Sequence, residues 1–179
     1  MMSKRNDRGV SLVETMIAVL VAFITMSSLG GAIFIAMVTN KNQGTETTRM
    51  TALAREKIEQ LTRLSYSNTT TNTTLITDTG WNVGLTSNSF SDVTQLSACP
   101  LSGDPNVGYV DFLNTNSQPL AGACSAAIAS GYGYERRWRI ADVSGVTGLK
   151  QISVVVYAPN AVRAGGAMPT VAVTTFKSQ

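Results

Sequence analysis

The sequence predicts an α+β protein: a long N-terminal helix, membrane-spanning in its first half, packed on an antiparallel β-sheet. Three patterns predict it. Residues Thr15 to Val38 carry no charge, a run longer than the roughly 20 residues that cross a bilayer core as helix. Met50, Leu53, Ala54, Ile58, Leu61 and Leu64 recur at spacings of three and four, which marks one face of a further helical stretch. Tyr134 to Ile140, Leu149 to Tyr157 and Val171 to Phe176 have a period of two, with Gly, Pro and Asn between the runs. That is the pattern of antiparallel strands joined by turns.

The N-terminal run is bounded by charge. Lys4, Arg5 and Arg8 stand against Asp7 in a short polar leader, and Glu14 is the one ionisable side chain from Gly9 to Val38. The run exceeds the roughly 7–15-residue apolar region of a cleaved secretory signal. An ionised carboxylate inside the apolar part of a membrane helix costs on the order of 2–3 kcal/mol, so it is normally functional or paired. The simpler account of Glu14 is a carboxylate near the headgroups, favoured by the helix N-terminal dipole. Past the run only Lys41 precedes Glu46 and Arg49. The basic leader therefore keeps the N-terminus cytoplasmic and sends the remainder across the membrane. Gly30-Gly31 costs about 1 kcal/mol per residue in helix propensity, which close packing of small residues against a neighbouring helix would explain. Thr25, Ser27 and Ser28 are placed to satisfy backbone carbonyls there.

Composition narrows the function classes. The 179 residues accommodate a membrane helix and one globular domain of about 100 residues or more. Of 14 basic and 11 acidic residues, 11 and 10 remain beyond the leader. A balance of +1 does not describe a general nucleic-acid binder. The chain has no histidine, which removes histidine-based triads and ordinary histidine–metal sites. No nucleophile–base pair or phosphate loop is recognisable, so neither an enzyme nor a cofactor is expected. Cys99 and Cys124 are the only cysteines. Without a Cys-x-x-Cys pair or a third ligand, and on the oxidising side of the membrane, they are expected to form a structural disulfide.

The amphipathic helix is expected over 40–64, with Glu46–Arg49, Arg55–Glu59 and Glu59–Arg63 as favourable pairs on its outer faces. Unbroken from Val10 to Leu64, the helix would be about 80 Å long, with Gly44 as a place to bend. Residues 65–79 are rich in Ser, Asn and Thr and read as a solvated loop, open to glycosylation as a lesser alternative. In the sheet domain, 80–179, Trp81, Val83, Leu85, Phe90 and Leu96 are core candidates, and 108–113 reads as a short strand. Turns are expected near Ser144–Gly148 and Pro159–Gly166. Arg136, Arg137 and Arg139, interleaved with Tyr134 and Trp138, are the candidate surface for an anionic partner, DNA included. The plainer reading is the polar face of a half-buried strand.

Gly9-Val10-Ser11-Leu12-Val13-Glu14 resembles the processing motif of type IV prepilins and type II secretion pseudopilins. The resemblance implies a pilin-like fold and assigns roles by position. A prepilin peptidase would cut between Gly9 and Val10, Val10 would be methylated, and Glu14 would neutralise the N-terminal amine of a neighbouring subunit. Val10 stands where Phe or Met is commoner. The domains would be a leader (1–9), a transmembrane assembly helix (10–39) and a periplasmic domain (40–179). Gly30-Gly31 would be a local weak point of the assembled helix. Tyr134-Glu-Arg-Arg-Trp-Arg139, followed by Leu149-Lys-Gln-Ile-Ser-Val-Val-Val156, is similar to the sheet of V-type minor pilins and I-type pseudopilins. The implied function is a non-catalytic minor pilin or assembly-priming subunit. Its partners would be the peptidase, other major and minor pilins, the inner-membrane assembly platform and the membrane. The precursor would sit in the inner membrane and the mature form in the pilus. A pseudopilin is the near alternative, and a filament-tip adhesin or DNA-uptake protein the farther one, with nucleic acid the less favoured partner.

Overall fold

The computed structural model describes residues 12–88, 99, 107–159 and 168–179, without the side chains of 39, 40 and 42. Helix α1 runs Leu12–Arg63, and strand β1 is Val110–Leu113. A short helix α2, Cys124–Ala129, precedes strands β2 (Tyr134–Asp142), β3 (Leu149–Tyr157) and β4 (Thr170–Ser178). The chain divides into two compact units, Met1–Gly44 and Thr45–Gln179.

In the first unit the described chain is all helix. Its large apolar side chains, Leu12, Met16, Leu20, Phe23, Ile24, Leu29 and Phe34 among them, are exposed. The hydroxyls of Thr15, Thr25 and Ser28 donate to the carbonyls of Leu12, Ala22 and Thr25, three residues back. Polar side chains in an apolar segment are thereby satisfied without leaving their own helix. The helix continues through Gly30 and Gly31, where an added Cβ would meet open space.

In the second unit the strands form one antiparallel sheet in the order β1-β2-β3-β4. One face of the sheet is covered by α1, and the other is covered at the β1 side but exposed along β4. Met50, Leu53, Ala54 and Leu61 of α1 meet Tyr134, Trp138, Ile140, Ile152, Val154 and Val156 in the main core, as the period-two and period-3.6 patterns require. A second core on the other side gathers Ile76, Trp81, Val107, Val110, Phe112, Cys124 and Ala127. The alternation of β1 divides the two: Leu113 goes to the helix side, Val110 and Phe112 to the other. Of the expected core residues, Trp81 and Leu85 are buried and Val83 is half-buried, whereas Phe90 and Leu96 lie outside the described residues.

The turn expected at Ser144–Gly148 joins β2 to β3, with Val146 N–H on Val143 C=O and Val143 N–H on Leu149 C=O. The Pro159–Gly166 turn lies largely outside the described residues. The Ser/Asn/Thr tract is a loop, mostly exposed as expected, but it is pinned to the domain near its C-terminal end. Thr73, Thr74 and Ile76 are buried, because Thr77 N–H donates to Gly122 C=O and Gly122 N–H to Leu75 C=O. Asn68 and Asn72 bond nearby backbone N–H groups through their side-chain carbonyls. Such local bonds fold a polar tract compactly without periodic structure. Gly84 is needed where this tract is pinned: at φ +49, an added Cβ would lie 2.7 Å from the Asn68 carbonyl oxygen.

Candidate functional site

Two sets of residues bear on function, one in each unit. In the first, α1 contains an 18-residue window of mean hydropathy 2.2, none of it buried. It is long and apolar enough to cross a membrane. Glu14 stands in its first turn, among exposed apolar neighbours. Gly9 and Val10, the expected processing residues, lie outside the described residues.

In the second unit the arginine cluster does not form the candidate anionic-partner surface. Arg136 is 2% exposed and points to the helix side of the sheet. It sits directly across the β1–β2 ladder from Asp111, to which its Nε and Nη2 donate at 2.8 and 2.9 Å. Arg137 is buried on the opposite face, donating to Glu135 Oε1 at 2.6 Å and stacking 4.7 Å from the Tyr157 ring centroid. Arg139 is half-buried. The alternation that puts Arg136 on one face and Arg137 and Arg139 on the other prevents the three from acting together. Two of the three already hold a carboxylate.

The ion network under α1 was not expected from the sequence. Lys57, fully buried, donates to Asp111 Oδ2 at 2.9 Å and to the Thr73 carbonyl, and lies 3.8 Å from the Trp138 ring centroid. Arg136 Nη1 also reaches the exposed carboxylate of Glu56 at 3.8 Å. Two cations thus share one buried anion, and Glu56 offsets the surplus from the rim. Burial lowers Lys57 to about 8, and Asp111 offsets this only in part. Burial alone would raise Asp111; Arg136 and then Lys57 more than reverse it and hold its carboxyl below the usual value. The partners shift unequally because Asp111 faces two cations, whereas Lys57 shares its anion with Arg136. Across the sheet, burial raises Glu135 despite Arg137 and Tyr132 beside it.

Asp111 and Arg136 also form part of the lining of an open groove of about 560 Å³, with Glu56, Glu59, Arg63 and Asn72 among its walls. Among the described residues no group of three or more His, Cys, Asp or Glu could hold a metal ion. Cys99 and Cys124 are joined in a disulfide, with Cα atoms 5.8 Å apart. Cys124 lies in the second core, and its N–H donates to Asp78 Oδ2 at 2.8 Å. The expected disulfide is therefore present, tying residue 99 to the start of α2.

Fold and sites together define a class: an α+β domain whose helix extends into an exposed apolar segment of membrane-spanning length. The chain matches no family model, and it has no detectable likeness to a curated protein or to a solved structure.

Proposed function

We propose that this chain is a non-catalytic subunit of the type IV prepilin and pseudopilin superfamily, acting as a minor pilin in a filament or its priming complex. The observation that carries the reading is the exposed apolar helix from Leu12 to Val38, with Glu14 as its single carboxylate one turn inside. Such a surface has to be covered by lipid or by other helices, and a carboxylate within it needs a cationic partner. Cutting the basic leader between Gly9 and Val10 supplies that partner, as the Val10 amine of a neighbouring subunit. The precursor then sits in the inner membrane with its N-terminus cytoplasmic and its sheet domain periplasmic. Extraction into a filament exchanges lipid contacts for helix–helix contacts.

The test is the intact mass and N-terminal fragmentation of the protein purified from its own membranes. A chain beginning at methylated Val10 is expected. A chain still beginning at Met1, from cells that process other prepilins, would overturn the reading. A deletion strain then separates the two branches: lost piliation marks a minor pilin, and lost protein export marks a pseudopilin. The buried pairing of Arg136 and Arg137 lends no support to a DNA-uptake surface on this strand.

A further inference from the structure

The open groove above the buried ion network has two walls. One is α1, where Glu56, Glu59, Gln60 and Arg63 share a face at helical spacing. The other is the segment 72–75, with Pro119 beside it. Asp111 and Arg136, both buried, complete the lining.

Two donors in this lining lack an ordinary acceptor. Arg136 uses Nε and Nη2 on Asp111. Its Nη1 has the Leu53 carbonyl at 3.4 Å and a Glu56 carboxylate oxygen at 3.8 Å, both beyond the roughly 2.7–3.2 Å of a normal N–H···O bond. The Thr73 hydroxyl, buried in the other wall, has no hydrogen-bond partner among the described residues. Buried polar groups of this kind are rare in folded chains, and each one requires an explanation.

Charge points the same way. Lys57 and Arg136 share Asp111, which leaves one positive charge in excess beneath the groove. Glu56 offsets it from a distance, with its side chain 61% exposed. The other rim carboxylate, Glu59, already faces Arg63 at 3.7 Å. Glu56 shows which chemistry suits the place, since a carboxylate faces Nη1 there without closing to hydrogen-bond distance.

We propose that this groove is a binding site for a small organic carboxylate, which displaces Glu56 and accepts hydrogen bonds from Arg136 Nη1 and the Thr73 hydroxyl. The ligand neutralises the excess charge at closer range than Glu56 does, and the Glu56 side chain returns to water. Charge-assisted bonds to a guanidinium are about twice as strong as neutral ones. Leu75 and Pro119 line the same groove and offer apolar surface to the ligand's carbon chain. The site belongs to the second unit alone and does not depend on the pilin reading.

The test titrates sodium butyrate into the full chain in detergent, at pH 7 and constant ionic strength, with sodium chloride as the reference. The Arg136 Nε–H and Thr73 N–H resonances report binding, and saturable shifts of both are expected. Thr73→Val keeps the shape of the side chain and deletes the hydroxyl, so it should bind butyrate about tenfold more weakly. Glu56→Gln removes the competing carboxylate and should bind it about threefold more tightly. Shifts that do not saturate, shifts matched by chloride, or an unchanged affinity in Thr73→Val would overturn the proposal. Inorganic phosphate binding more tightly than butyrate would overturn the choice of a carboxylate. If Thr73→Val fails to fold, Glu56→Gln decides, because it alters an exposed side chain; equal or weaker binding there would overturn the displacement. An unprocessed N-terminus together with the expected titration would sink the pilin reading alone.

Discussion

Arg136 grips Asp111 across the first strand pair with two parallel N–H···O bonds of 2.8 and 2.9 Å, both side chains buried beneath α1. Lys57 reaches the same carboxylate from the helix, so one anion joins the helix to both strands. A buried carboxylate between two cations leaves little room for substitution.

Asp111→Asn is expected to destabilise the protein by about 3–5 kcal/mol, because it leaves buried Arg136 and Lys57 facing each other without their shared buried anion. Lys57→Met should be near neutral or stabilising, since Arg136 still holds Asp111 and an expensive buried charge is gone. Urea unfolding of the full chain in detergent, followed by the fluorescence of buried Trp81 and Trp138, checks both. Equal losses in the two variants would refute the asymmetry.

Lys57 sets an alkaline pH dependence. Burial lowers its value in the folded state, to about 8 from the usual 10.5, so between those limits the unfolded chain binds more protons. Stability then rises with pH as it passes about 8 and levels off near 10.5. The same unfolding experiment at pH 7 and 9.5 should show the rise in the wild type. Lys57→Met should lack it.

Replacing Cys99 and Cys124 together by serine should lower stability by roughly 3 kcal/mol, on the loop-entropy account of a bridge of this span. The loss should fall on the second core, which Cys124 shares with Phe112 and Ala127. Hydrogen exchange localises it: amides of β1 and α2 should be exposed before those of β3. A variant as stable as the wild type would assign the bridge no structural role.

If the proposed pilin reading holds, Glu14→Ala should leave the mature mass unchanged and reduce the protein in sheared filaments. Wild-type filament levels would refute the assembly role. On the same reading, replacing Gly9 by alanine or a bulkier residue should instead leave the full precursor mass.

Much of the fold was legible in the sequence. The uncharged run, the 50–64 stripe and the three alternating segments became α1, β2, β3 and β4, because burial on one face imposes a period that survives any detail of packing. A signal for the ion network was also present. Lys57 falls between Ala54 and Leu61 at helical spacing, so it lies in the stripe that buries. Asp111 falls between Val110 and Phe112, on the face it shares with Leu113. A charge at a core-facing position has to meet another, but pattern alone does not name its partner.

The sequence by itself determined the membrane-length apolar helix, the disulfide pair and the α+β class. These follow from hydropathy, periodicity and a count of two cysteines. Only the tertiary structure decided that Arg136 and Arg137 face opposite sides of the sheet in separate ion pairs. It also decided that Thr73, Thr74 and Ile76 of the Ser/Asn/Thr tract are buried and that β1 and β4 flank the sheet among the described strands. Which strand lies beside which, and in what register, depends on contacts between residues far apart in the chain, and no local pattern encodes those.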